Sequence, residues 1–134
     1  MILGLMMASA TTVVCAATRI WDGGGGDANW STLANWDGDA FAPGTGDGLF
    51  FDGSTRLVNT NDLTVDTSFA GLTFNSGAGA FALWGNRVVL DGNVTNWSAN
   101  TQTINQPMTL SGTRDICASN GAVTVNGSLS GAGG

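Results

Sequence analysis

The chain has 134 residues and a net charge of −6, and it contains no histidine or lysine, so four arginines are its only basic residues. This length fits one domain, and so few cations exclude the basic surface that nucleic acids require. The missing residue types also exclude a Ser-His-Asp triad, histidine metal ligation and lysine chemistry. All ten acidic residues are aspartate, and Gly, Thr, Asn and Ser are frequent, so short strands and tight turns are expected.

Residues 1–17 differ from the rest because they are apolar and end in small residues. This pattern is typical of the later part of a secretory signal, and it predicts cleavage after Ala16 or Ala17 and export from the cell. The segment is short for a bilayer span, so no membrane span is predicted. A buried first strand or helix is the alternative. After cleavage Cys117 would be the only cysteine, which excludes an intrachain disulfide.

Residues 18–55 are rich in tryptophan, glycine and aspartate, and four of the aspartates are candidates for chemistry. They lie in glycine-rich loops that resemble incomplete calcium-binding loops. The pairs Asp37 with Asp39 and Asp22 with Asp27 are the nearest candidates by sequence for a two-acid glycosidase site. These four residues are Asp22, Asp27, Asp37 and Asp39. Aspartate in turns accounts for them equally well, and nothing nearby would raise one pKa by burial. We therefore predict no catalytic residue, no cofactor and no metal, with these four as weak calcium candidates.

From residue 48 onward, short apolar runs alternate with turn residues. In many runs the apolar residues fall at every second position, as where Leu72 and Phe74 face one way and Thr73 the other. The runs are 49–51, 63–65, 70–74, 80–83, 87–90, 102–104, 108–110, 114–117 and 122–125. A β-sandwich and a β-solenoid both fit this pattern. The shortness of the strands and the recurring Asn and Gly corners favour the solenoid.

The three tryptophans of the first segment, Trp21, Trp30 and Trp36, have two interpretations. A solenoid needs its ends covered, because an open end exposes apolar side chains and unpaired strand edges. In the first interpretation the indoles are lids over the first rung of the core. In the second they are exposed and stack on the rings of a polysaccharide, while Asp and Asn bind its hydroxyl groups.

The order of several sequence blocks closely resembles the N-terminal region of bacterial secreted proteins with autotransporter-associated β-strand repeats. These blocks are WDGGGGDANWSTLANW, GDGLFFDGSTR, NTNDLTVDTSFAGLTFNSGAGAFALWGNRVVLDGNVTN, TQTINQPMTLSGTRDI and GSLSGAGG. The resemblance covers residues 19–134 and implies a right-handed parallel β-helix passenger, secreted or displayed at the cell surface. It also implies further glycine-rich repeats after residue 134, so the rungs of residues 56–134 would be the truncated start of a longer solenoid.

These observations together predict a non-enzymatic extracellular β-solenoid that acts as a surface scaffold or adhesin. Its residues 18–55 form a cap, and its uncovered end joins other copies into a homo-oligomer or a filament. A carbohydrate-binding module that uses Trp21, Trp30 and Trp36 is the main alternative, with a surface polysaccharide as its partner. A polysaccharide-cleaving β-helix enzyme is the second alternative.

Overall fold

The computed structural model of the protein describes residues 15–131. The predicted signal segment lies outside the described residues except for its last three positions. The described chain contains one short 3₁₀ helix, Leu33–Asn35, and thirteen strands. The strands are β1 Thr18–Trp21, β2 Gly48–Phe51, β3 Val58–Asn61, β4 Thr67–Phe69, β5 Gly71–Phe74, β6 Ala82–Gly85, β7 Val88–Leu90, β8 Val94–Asn96, β9 Gln102–Ile104, β10 Met108–Leu110, β11 Ile116–Ala118, β12 Val123–Val125 and β13 Leu129–Gly131.

The strands form three parallel sheets that wrap around one core. Sheet A has the order β1-β2-β5-β8-β11, sheet B has the order β3-β6-β9-β12, and sheet C has the order β4-β7-β10-β13. The chain therefore visits A, B and C once in each turn, and β2–β4, β5–β7, β8–β10 and β11–β13 are four successive rungs. Leu72 pairs with Val94 and Val94 with Ile116, so that these two turns are each 22 residues long in sheet A. This stacking confirms the predicted β-solenoid, and the alternative of two antiparallel layers is wrong because all strand pairs between rungs are parallel.

The core is a narrow column of side chains that point inward from the three sheets. The predicted alternation is confirmed in sheet A, where Leu72 and Phe74 are fully buried and Thr73 between them faces outward. The same holds for Val88 and Leu90 in sheet C. Other buried members are Leu49, Phe51, Phe69, Phe81, Leu83, Val94, Ile104, Met108 and Leu110. Burial of these side chains provides the main favourable free energy of folding.

Two predicted boundaries differ from the observed ones. The apolar run 63–65 is not a strand, because the chain is already turning there, and the strand of this region is β3 at 58–61. Its inward residues are Asn59 and Asn61, both buried and polar, so the apolar pattern that marks the other strands is missing. The predicted cap ended at residue 55, whereas β2 at 48–51 already pairs with β5 of the next rung.

Within residues 15–131, no helix is long and apolar enough to cross a membrane.

Candidate functional site: the two ends of the solenoid

The first end of the solenoid is closed by an aromatic cluster. Trp21, Trp30 and Trp36 are each fully buried. The ring of Trp36 meets Trp21 edge to face at 5.2 Å and Trp30 at 6.0 Å between centroids. Phe51 lies beneath all three indoles at 5.8–6.3 Å. The three indoles therefore rest on the first rung of the core, in the geometry that aromatic pairs prefer.

The polar atoms of these indoles are satisfied inside the protein. Trp30 Nε1 donates to Asn59 Oδ1 at 2.8 Å, and Trp36 Nε1 donates to the carbonyl of Trp30 at 2.8 Å. Trp21 Nε1 donates to the carbonyl of Thr55 at 3.2 Å. The carbohydrate hypothesis required exposed indoles at these positions. The structure contradicts this hypothesis, because an indole ring with no accessible surface cannot stack on a sugar.

The cap also occupies the free strand edge of sheet B. The backbone N–H of Trp30 donates to the carbonyl of Thr60 at 2.9 Å, and the N–H of Thr60 donates to the carbonyl of Ala28 at 2.9 Å. Residues 28–30 therefore take the place that a preceding rung would take beside β3. The buried carboxamide of Asn35 fixes this segment by donating to the carbonyls of Asp27 and Asn29.

The edges of sheets A and C are covered at the same end. At sheet A, Trp36 bridges Trp21 in the antiparallel sense, and the N–H of Asp37 donates to the carbonyl of Ile20 at 2.8 Å. At sheet C, residues 46 and 47 lie along β4, where Gly46 donates to Ser68 at 2.8 Å. Every sheet of the solenoid is therefore terminated here by the cap segment.

Asp47 ties the cap to β1. Its buried carboxylate accepts hydrogen bonds from the backbone N–H groups of Ala17 at 2.8 Å and Gly44 at 3.0 Å, and from Arg19 Nε at 2.9 Å. Burial alone would raise the pKa of Asp47, but the hydrogen bonds from Arg19, Gly44 and Ala17 outweigh it and lower the pKa below its ordinary value. The residue is therefore charged and anchoring at neutral pH.

Two of the four weak calcium candidates accept local hydrogen bonds, and the other two lie exposed in a turn. Asp22 accepts from the N–H of Gly24, and Asp27 accepts from Thr32 Oγ1 at 2.7 Å and from the N–H of Asn29. The hydrogen bond from Thr32, followed by that from Asn29, lowers the pKa of Asp27. Asp37 and Asp39 are exposed in the turn after Trp36. In the part of the chain that the structure describes, no group of three or more cysteine or acidic side chains is placed to hold a metal ion.

The other end of the solenoid is open. Ile116 of β11 continues the column of Val94, yet its exposed fraction is 38% against 1% for Val94. Leu129 of β13 pairs with Met108, and the exposed fractions are 41% and 0%. Among residues 15–131, no segment pairs with the outer edges of β11, β12 or β13. The inward side chains of the fourth rung thus form an apolar surface bordered by free strand edges.

The strands of the open end carry no charge. No charged residue occurs from 116 to 131, and the nearest are Arg114 and Asp115, just before β11. Proteins usually protect exposed strand edges with charges, prolines or bulges. The sequence predicts an uncovered rung at this end but does not by itself identify the residues of that rung. The signal that identifies them is the run of uncharged residues that begins directly after Asp115.

The remaining surface features lie on the outer faces of the sheets. Trp84 on sheet B and Trp97 after β8 are exposed by 49% and 55%. A shallow groove of about 230 Å³ follows sheet A and is lined by Gly48, Phe50, Ala70, Gly71, Thr73, Asn93 and Thr95. No charged side chain lines this groove, and at Gly71 the backbone of Asn93 in the next rung comes close. The groove is a consequence of how the rungs stack.

Comparison of the chain with protein-family profiles, with curated proteins and with solved structures gives no significant match. The resemblance to autotransporter-associated repeat proteins therefore stays a prediction from the sequence blocks.

Proposed function

We propose that this protein is a non-enzymatic extracellular scaffold or adhesin module, which associates end to end with other copies of itself through its open end. The observation that carries this proposal is the contrast between its two ends. One end has all three sheet edges covered and its core sealed by tryptophans. At the other end, no segment among residues 15–131 pairs with the three strand edges, and the inward apolar side chains are partly exposed. A module of this form is suited to the terminal position in a longer assembly.

Further support comes from the placement of the aspartates at the cap. Of the aspartates considered for glycoside cleavage, Asp22 and Asp27 hydrogen-bond to their own loops, and Asp37 and Asp39 lie exposed in one turn. A catalytic acid needs a partner at a set separation and an environment that raises its pKa. The pKa of Asp27 is instead lowered. The predicted signal segment at residues 1–17 supports an extracellular location.

The proposal is tested by placing one charge on the open end. In Ile116→Asp a carboxylate would replace an inward apolar side chain of the fourth rung. If purified molecules join through this end, association should weaken at least roughly tenfold, because burying an unpaired charge at the contact costs more than about 1.4 kcal/mol. Sedimentation velocity over a range of protein concentrations measures the change.

The matched control is Val58→Asp. Val58 is also an exposed β-strand residue, by 64%, but it lies on the outer face of sheet B in the first rung. This variant should associate like the original chain. The tryptophan emission of the cap, at the far end of the molecule, reports whether both variants remain folded. A parent protein that stays monomeric at high concentration, or equal effects of the two substitutions, would contradict the proposal.

A further inference from the structure

We infer that the open end binds the open end of a second copy, which gives a closed two-fold dimer and not a filament. This inference rests on the proposed role of the open end and specifies the partner. A filament would need head-to-tail stacking, in which the fourth rung of one copy lies on the capped end of the next. A two-fold contact uses the same surface twice and leaves both caps facing outward.

The capped end is unsuitable as the partner surface because its backbone groups are already used. The carbonyl of Asn29 accepts from Asn35 Nδ2 and from the N–H of Thr32, and the carbonyl of Trp30 accepts from Trp36 Nε1. The cap therefore presents no continuous strand edge beyond residues 28–30. It also carries exposed carboxylates, those of Asp22, Asp27, Asp37 and Asp39. Desolvating these charges against an uncharged apolar rung would be unfavourable.

The open end suits a copy of itself. Its residues 116–131 carry no charge that would repel an identical surface. A two-fold axis perpendicular to the solenoid reverses the strand direction, so the free edges of the two copies meet as antiparallel pairs, which hydrogen-bond well. The half-exposed Ile116 and Leu129 would then be covered from the other copy.

The path of the chain selects which strands meet. Each rung passes from sheet C to sheet A at one corner, so the open end has a step of one rung there. The open ends of two copies fit together without a gap when the step of one copy meets the step of the other. The two-fold axis of the dimer then passes through the middle of sheet B. In this arrangement β12 pairs with β12 of the second copy, and β11 pairs with β13.

The register between the two β12 strands follows from which of their residues point inward. Val123 and Val125 lie on the inner face, since they continue the positions of Gln102 and Ile104. Directly opposed residues of antiparallel strands point to the same face. Full overlap of the three-residue strands therefore places Val123 opposite Val125 and Thr124 opposite Thr124 on the axis. Opposed Cα atoms in such a pair lie about 4.5–5.5 Å apart, within disulfide range.

The test is disulfide trapping at this position. In the chain with Cys15→Ser and Cys117→Ser, the variant Thr124→Cys should form an intermolecular disulfide under mild oxidation. The comparison variant is Val58→Cys in the same background, because Val58 lies in the same outer column of sheet B, at the capped end. We expect Thr124→Cys to be trapped at least roughly tenfold faster than Val58→Cys. Adding Ile116→Asp to Thr124→Cys should abolish the difference.

The outcomes separate the dimer from the proposed function. Mixed disulfides formed preferentially between Thr124→Cys and Val58→Cys molecules would indicate head-to-tail stacking and overturn the two-fold contact. Equal, slow trapping of both variants would also overturn it. If Ile116→Asp still weakens association in that case, the open end remains the contact and only its two-fold geometry fails. If the parent protein does not associate at all, both the two-fold contact and the proposed role of the open end are wrong.

Discussion

Gly92 shows how closely single residues of successive rungs approach one another. It lies at the corner between β7 and β8, and a Cβ atom at this position would overlap the carbonyl oxygen of Ala70, at the same corner of the preceding rung. The backbone of Gly92 is not in the left-handed region. The requirement for glycine is therefore steric, because no side-chain atom fits between the two rungs.

We predict that Gly92→Ala destabilises the protein by about 1–3 kcal/mol or more, since the corner must open to admit one methyl group. Gly26→Ala is the matched control, because a Cβ at Gly26 has no neighbour within 4 Å. Alanine there should be neutral or slightly stabilising. Urea unfolding followed by tryptophan fluorescence measures both free energies. Equal stability of the two variants would show that the corner is more compliant than the structure indicates.

This residue also illustrates how far the sequence could predict the corners. Recurring glycines correctly indicate where the chain turns, and several of them, such as Gly85, do adopt positive φ. The sequence alone assigns all of them to left-handed backbone. The sequence cannot distinguish Gly92 from the other corner glycines. The atom that excludes a side chain belongs to a residue 22 positions earlier, and this contact can be predicted only when the number of residues in a turn is known.

At the scale of elements, the apolar alternation predicts the strands whose inward residues are apolar and misses the others. The apolar alternation predicts β5, β7 and β10 directly. It does not predict β3, because the inward residues of this strand are Asn59 and Asn61. Asn59 accepts from Trp30 of the cap, and Asn61 Nδ2 donates to the carbonyl of Asn86 in the next rung. Buried amides need such partners, and these partners lie about 25–29 residues away in sequence.

The cap itself should be sensitive to acid through Asp47. Because its pKa in the folded protein lies below the ordinary value of 3.8, its charge stabilises the fold above that value and this contribution is lost as the pH falls through the lowered pKa. We predict that Asp47→Asn lowers the free energy of unfolding at pH 7 by about 1–3 kcal/mol, because charge-assisted hydrogen bonds are lost. The variant should also show a weaker decline in stability below about pH 4 than the original chain.

The comparison for this prediction is Asp66→Asn. Asp66 also has a lowered pKa, caused first by hydrogen bonds from Arg87, but both partners of this ion pair are about 45% exposed. An exposed pair is screened by solvent and contributes little, so this variant should lose less stability than Asp47→Asn. Thermal unfolding between pH 3 and pH 7 provides the curves. If the two variants behave alike, Asp47 is not the anchor of the cap.

At the scale of the whole molecule, the core changes character along the solenoid axis. Tryptophans of the cap and Phe51 form the first layer, and Phe51 continues to Phe74 at 5.3 Å and Phe81 at 5.4 Å between ring centroids. The third rung has no aromatic side chain inside; it buries aliphatic side chains, Met108 and the amides of Asn96 and Gln102. The fourth rung is half-exposed. In a solenoid each rung is stabilised only by its neighbours, so the local free energy of opening should fall from the capped end to the open end.

Hydrogen–deuterium exchange measured by mass spectrometry tests this gradient. At low protein concentration the amides of β11–β13 should exchange at least roughly tenfold faster than those of β5–β7, because the fourth rung has one neighbouring rung and the second has two. The central rungs are the internal control within the same molecule. Raising the concentration should slow exchange in β11–β13 and leave β5–β7 unchanged, since binding protects only the contacting end. Uniform protection of the amides along the axis at every concentration would contradict this prediction. It would mean that the four rungs open as one unit and that a partner does not stabilise the free edges separately.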